Sequence, residues 1–109
     1  MFKLNDGRSS FWQWDINQKL VVTELPIGTE VHFYHDNKSD LAFKELVEQD
    51  NGGRVCKVPN ELLKHAGTIK VYGYVVENPN ARTVDSPSKY TVGRMTFKVK
   101  PREKPVGYK

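Results

Sequence analysis

Few side chains in this 109-residue chain are suited to covalent or metal chemistry, and their spacing argues against it. The single cysteine, Cys56, has no neighbour in sequence that would lower its thiol pKa, so it reads as a small packing residue. His32, His35 and His65 lack a Cys or His partner at zinc-ligand spacing, and His32 and His35, three apart, would point to opposite faces of a strand. Ser9, Ser10, Ser39, Ser86 and Ser88 lie in polar, loop-like company, with neither a G-x-S-x-G elbow nor a phosphate-cradling glycine loop. Paired carboxylates can hydrolyse glycosides, and Asp15 follows two tryptophans while Glu45, Glu48 and Asp50 cluster. A domain this small leaves little room for a cleft, however, and carboxylates spaced along strands usually form a solvated face. The expectation is a non-enzymatic chain with no catalytic residue, no metal and no cofactor.

The candidates for binding are aromatic. Phe11–Asp15 (F-W-Q-W-D) alternates strictly, and read as one strand it places Trp12 and Trp14 together, opposite Phe11, Gln13 and Asp15. Tyr72 and Tyr74 share a face of a second strand with Lys70 and Val76, opposite Ile69, Val71, Gly73 and Val75. One reading puts the tryptophans in the core and lets the tyrosines cover a sheet edge. The other makes Trp12, Trp14, Tyr72 and Tyr74 a protein-interaction surface, because large rigid aromatics dominate interface hot spots. In a carbohydrate-binding variant of that surface the rings would stack on sugars, with Gln13, Asp15 or Asn17 bonding hydroxyls.

These residues need strands to position them, and the chain supplies strand signals throughout. An edge strand is expected at F-K-L, then Lys19–Leu25, then a turn at Pro26-Ile27-Gly28. Thr29–His35 alternates Val31 and Phe33 against His32 and Tyr34, and Asp36–Asp40 reads as a polar loop. Leu41–Gln49 partly fits a helical period, but Asp50-Asn51-Gly52-Gly53 is a favoured hairpin turn, so a strand is expected, with Arg54–Val58 pairing back. Pro59 stops that strand, Asn60 is placed to cap a helical turn over Pro59–Ala66, and Leu62 and Leu63 form an apolar plug. Gly67 releases the turn at positive φ into what reads as the longest strand, Thr68–Val76, which ends at Asn78-Pro79-Asn80. A loop at Ala81–Lys89 precedes the last strand, Tyr90–Val99, with Met95, Phe97 and Val99 inward and Arg94, Thr96, Lys98 and Lys100 outward. The fold class predicted is all-β: a single antiparallel immunoglobulin-like β-sandwich of about seven to eight strands, with one short helical turn near 59–66. It lacks the paired cysteines of an antibody domain. Residues 1–99 form the domain and 100–109 a basic, proline-containing linker or tail.

Length and composition agree with one domain holding a single core. No apolar run reaches transmembrane length, no signal-peptide core follows the first methionine, and one cysteine suits synthesis in a reducing cytoplasm. The net charge is +4, and Lys98, Lys100, Arg102, Lys104 and Lys109 against Glu103 account for all of it, the remainder balancing at 12 basic and 12 acidic residues. A nucleic-acid-binding domain is expected to carry its basic excess as a patch on the fold, whereas this excess falls in V-K-P-R-E-K-P-V-G-Y-K, read as a tail. Neither nucleic acid nor membrane is therefore expected as a partner; binding through the tail would show as affinity falling steeply with salt.

Four fragments, in order and spanning nearly the whole chain, form a wider pattern: F-W-Q-W-D-I-N-Q-K-L, T-E-V-H-F, V-P-N-E-L-L-K-H-A-G-T-I-K-V-Y-G-Y-V and M-T-F-K-V-K-P-R-E-K-P-V-G-Y. In combination they resemble the N-terminal β-sandwich domain of bacteriophage and prophage fibre or baseplate-type structural proteins from Gram-positive hosts. The resemblance implies a virion protein, made in the bacterial cytoplasm, whose N-terminal module docks a head fibre or a tail or baseplate fibre onto the particle. It implies capsid or tail/baseplate proteins as partners and a homo-oligomer, fibres being commonly trimeric. It brings no catalytic residues. A carbohydrate-binding module for host surface glycans is the alternative.

Overall fold

A computed structural model of the chain describes residues 2–76 and 89–107. The turn expected at Asn78–Asn80 and the loop expected over 81–88 lie outside them. Nine strands occur among the described residues: β1 (Phe2–Leu4), β2 (Ser10–Trp12), β3 (Lys19–Val22), β4 (Glu30–His35), β5 (Lys38–Leu46), β6 (Glu48–Asp50), β7 (Gly53–Lys57), β8 (Gly67–Val76) and β9 (Lys89–Lys100). They form a four-stranded sheet ordered β1-β3-β7-β6 and a five-stranded sheet ordered β2-β9-β8-β4-β5. The chain is all-β, with more strands than the expected seven or eight. It is not purely antiparallel, since β2 runs parallel to β9, pairing Ser10 with Lys98 and Trp12 with Lys100.

Period-two alternation builds one core between the sheets. Leu20, Val22 and Cys56 enter it from one side; Phe11, Val31, Phe33, Ile69, Val71, Phe97 and Val99 enter from the other. Phe11 and Phe97 meet edge to face, ring centroids 5.3 Å apart, an arrangement the ring quadrupoles favour. Leu62 and Leu63, in a 3-10 turn at Leu62–Lys64, are fully buried and plug the core as expected. The ambiguous segment is a strand, but the chain changes sheets within it. At Val47 the backbone leaves β5, exchanges hydrogen bonds with Gly28 and Thr29 (2.8 and 2.9 Å), and re-enters the other sheet as β6. Asn51 and Gly52 then both take positive φ, 49° and 81°, as a two-residue hairpin with the native strand twist requires.

Several local expectations need correction. The F-W-Q-W-D segment is not one strand: β2 stops at Trp12, and Trp14 sits at φ 76° with its backbone N–H donating to Leu63 O at 2.7 Å. Trp12 and Trp14 therefore do not share a strand face, and neither belongs to the core. Asn60 does not cap the following turn; its side chain accepts the Asn17 N–H at 3.0 Å, and backbone bonds such as Leu63 N–H to Asn60 O close the turn. The polar loop is shorter than predicted because β5 begins at Lys38. At 12 residues β9, not the 10-residue β8, is the longest strand.

Candidate functional site

Two assemblies of side chains stand out, one on the five-stranded sheet and one at its corner. β8 is the middle strand of five, so Tyr72 and Tyr74 occupy the centre of the sheet's outward face and do not cover an edge. Across β4 the register sets His32 opposite Tyr72 and Glu30 opposite Tyr74. The rings touch as a group: His32–Tyr74 centroids lie 4.4 Å apart, Tyr34–Tyr72 5.9 Å and Tyr72–Tyr74 6.4 Å. His32 is oriented from both sides, Nε2 lying 3.1 Å from Glu30 Oε1 and Nδ1 3.3 Å from the Tyr34 hydroxyl. The Tyr34 phenol is raised above its ordinary pKa by burial and then by the neighbouring Tyr74 and Tyr72, so it stays a neutral hydrogen-bonding group.

Cations flank the rings. The register continues the His32–Tyr72 row to Lys44 on one side and Arg94 on the other. Along β9, Arg94, Thr96, Lys98 and Lys100 all face outward. Lys70 is 3.3 Å from Asp36, whereas Lys44, Arg94 and Lys98 have no ion pair among the described residues. Beside the tyrosines, Lys70, Tyr72, Arg94, Met95 and Thr96 line an open depression of about 460 Å³. Lys98 and Lys100, which the charge count placed with the tail, are strand residues of this face.

The corner assembly joins stretches far apart in sequence. The Trp14 indole N–H donates to Arg102 O at 3.0 Å, and the Arg102 backbone N–H donates to Gln13 Oε1 at 3.2 Å. Gln13 Nε2 in turn donates to Lys64 O at 2.8 Å. Asp15 takes the Trp12 backbone N–H at 3.0 Å and lies 3.6 Å from both Arg8 and Arg102. Lys104 sits 5.6 Å from the centroid of Trp14, and Lys100 lies 5.3 Å from that of Trp12, which remains 45% exposed. Residues just past β9 are thus held against the W-Q-W-D segment.

Compared with known protein families, with curated proteins and with solved structures, the chain matches none.

Of the four aromatics singled out, the structure brings Tyr72 and Tyr74 together, adds His32 and Tyr34, and sends Trp12 and Trp14 to the corner. The alternation of Thr29–His35 already pointed His32 and Tyr34 outward; what it lacked was the pairing that sets β4 beside β8. Gln13 and Asp15, considered for sugar hydroxyls, are engaged within the corner. Asn17 instead lines a cleft of about 440 Å³ with Gln18, Lys19, Glu45, Lys57 and Asn60; the Gln18 side-chain oxygen is buried, with no hydrogen-bond partner among the described residues. His35 is a satisfied interior histidine: Nδ1 accepts the Asn37 N–H at 3.1 Å, leaving Nε2 to donate toward His65 O and Ala66 O at 3.3 and 3.2 Å. Cys56 is fully buried, and its thiol is pushed up to about 12 by burial and then by Glu45 and Glu48, which makes it a poor nucleophile. No group of three or more His, Cys, Asp or Glu suited to a metal occurs among the described residues, nor does a helix long and apolar enough to cross a membrane.

Proposed function

We propose that the chain is a non-enzymatic virion structural protein: an immunoglobulin-like sandwich serving as the N-terminal attachment domain of a phage head fibre or of a tail or baseplate fibre. The corner carries this reading. Three of the four fragments behind the family resemblance, some 50 and 90 residues apart, meet there through Gln13–Lys64, Trp14–Leu63 and Trp14–Arg102 contacts. These contacts tie the three fragments into one unit, Gln13 and Trp14 supplying the side chains and the other two fragments backbone groups. Trp12, exposed beside Lys100 on an edge strand, is the anchor we assign to docking on capsid or tail/baseplate proteins. A homo-oligomer, such as a trimer, would repeat that anchor around a symmetry axis.

Immunogold labelling of particles purified from a lysate of the source strain tests the reading. Label on the capsid identifies a head fibre and label on the tail a baseplate component; bare particles beside antigen in the soluble lysate overturn the proposal. A Trp12→Ala variant is expected to lower the number of copies per particle while leaving the fold intact.

One observation favours a second reading, a carbohydrate-binding module. The cleft around Asn17 and Gln18 is lined by polar side chains, among them Lys19, Glu45 and Asn60, as recognition of sugar hydroxyls requires. Calorimetry against host wall polysaccharide separates the readings, and absence of heat at millimolar sugar rejects this one.

A further inference from the structure

We infer that the outward face of the five-stranded sheet binds single-stranded nucleic acid, bases stacking on Tyr72, Tyr74 and Trp12 and phosphates held by Arg94, Lys98 and Lys100. This goes beyond the virion reading and does not depend on it. A basic excess is expected to lie on the fold if it serves nucleic acid, and β9 puts three cations on one sheet face.

Single strands are bound by cations that track the backbone and by aromatic faces that accept unstacked bases. β9 supplies both in register. Arg94 pairs with Tyr72 on one side, and six residues further along Lys100 pairs with Trp12 on the other. At about 3.3 Å per residue that path is roughly 20 Å long, with a ring at either end and Lys98 between. A path of this length suits about four nucleotides, the short end of single-strand sites.

The charge on the face favours an anion. The described outward residues of β4, β8 and β9 include one carboxylate, Glu30, engaged by His32, and β5 adds exposed Asp40 on the strand that also carries Lys44. Lys70 is the one cation there with an ion pair, to exposed Asp36, and such a pair is weak and easily exchanged. The rings distinguish the ligand further. An acidic protein surface would satisfy the cations and leave the tyrosines without planar partners. A duplex hides its base faces, and a broad sheet cannot enter its grooves as a helix or two-stranded ribbon does.

The test is fluorescence anisotropy of a labelled oligothymidylate of about twelve nucleotides with the full chain, across roughly 50 to 200 mM salt. Binding that weakens with salt is expected, at least about fivefold poorer for Tyr72→Ala with Tyr74→Ala and with an unchanged salt slope. Arg94→Gln with Lys98→Gln should weaken binding and flatten the slope by about 1.4, near 0.7 per lost phosphate contact. Circular dichroism establishes that both variants keep their strands, and Lys19→Gln with Lys57→Gln, on the outward face of the other sheet, should bind like the parent. The proposal is overturned by absence of binding at roughly 100 µM protein and low salt, by an equal loss in the variant of the other sheet, or by equal competition from duplex DNA or polyglutamate.

Discussion

The outward faces of the two sheets are built by the same alternation, yet they treat charge in opposite ways. On the four-stranded sheet Lys19 sits directly across from Lys57, a like-charge pairing that is unfavourable by itself. The neighbouring hairpin answers it: Asp50 lies 2.9 Å from Lys19 and Glu48 3.8 Å from Lys57. On the five-stranded sheet the corresponding row runs Lys44, His32, Tyr72, Arg94, with rings where the other sheet has carboxylates. On the four-stranded face Lys19 and Lys57 are matched by carboxylates, whereas on the other Lys44, Arg94 and Lys98 have no ion pair among the described residues and surround rigid aromatics. Local pairing register, more than composition, separates a solvated face from one able to bind.

The contrast requires a shared core beneath both faces. Phe33, wholly buried beneath His32 and Tyr34, is part of it. Phe33→Ala is expected to cost about 3–5 kcal/mol, and denaturant unfolding followed by far-ultraviolet dichroism and by tyrosine fluorescence should show one shared transition. Separate transitions for the two signals would mean that the sheets are independent units.

At neutral pH Cys56 adds nothing of this kind, but in strong alkali it matters, since it sits in the core on the four-stranded side. Its thiol stays protonated in the folded chain until about pH 12 but ionises near 9 once unfolded. The unfolded state therefore binds fewer protons between those values, and stability should fall by about 1.4 kcal/mol per pH unit across that window. Below it the group contributes no pH dependence. Tyr34, also raised, pushes in the same direction. Cys56→Val should remove most of the alkaline decline; an unaltered decline would place its origin elsewhere.

The smallest effect sharpens the comparison most. A double-mutant cycle on Lys19 and Asp50 is expected to give about 0.2–1 kcal/mol, as for other exposed pairs, and to shrink in high salt. Arg94→Gln, on the other face, should leave stability unchanged or slightly raised, since Arg94 has no carboxylate partner among the described residues. A clear loss of stability there would mean that the five-stranded face is also neutralised within the fold.

Much of this was legible in the chain. Alternation in Thr29–His35, in Ile69–Val76 and in Arg94–Lys100 correctly sorted inward from outward residues at the positions described, because a strand's period depends on nothing beyond itself. Pro59, Leu62, Leu63 and Gly67 marked a turn for equally local reasons. What escaped was relational. Nothing in F-W-Q-W-D announces that Trp14 turns to φ 76° to meet Leu63, because the Leu63 carbonyl arrives from far along the chain. Nothing in either strand announces that β4 lies beside β8, which is what groups His32 and Tyr34 with Tyr72 and Tyr74. Counting charge by sequence position also grouped Lys98 and Lys100 with a tail, although alternation alone had them outward on the last strand, where the structure places them.

The most direct test of functional asymmetry between the faces is a residue-resolved NMR titration of the isotope-labelled chain with oligothymidylate. Shifts concentrated at the amides of Tyr72, Tyr74, Arg94 and Lys98, with Lys19, Val21 and Lys57 unmoved, are the predicted result. Shifts confined to residues 101–107, or spread equally over both sheets, would contradict it.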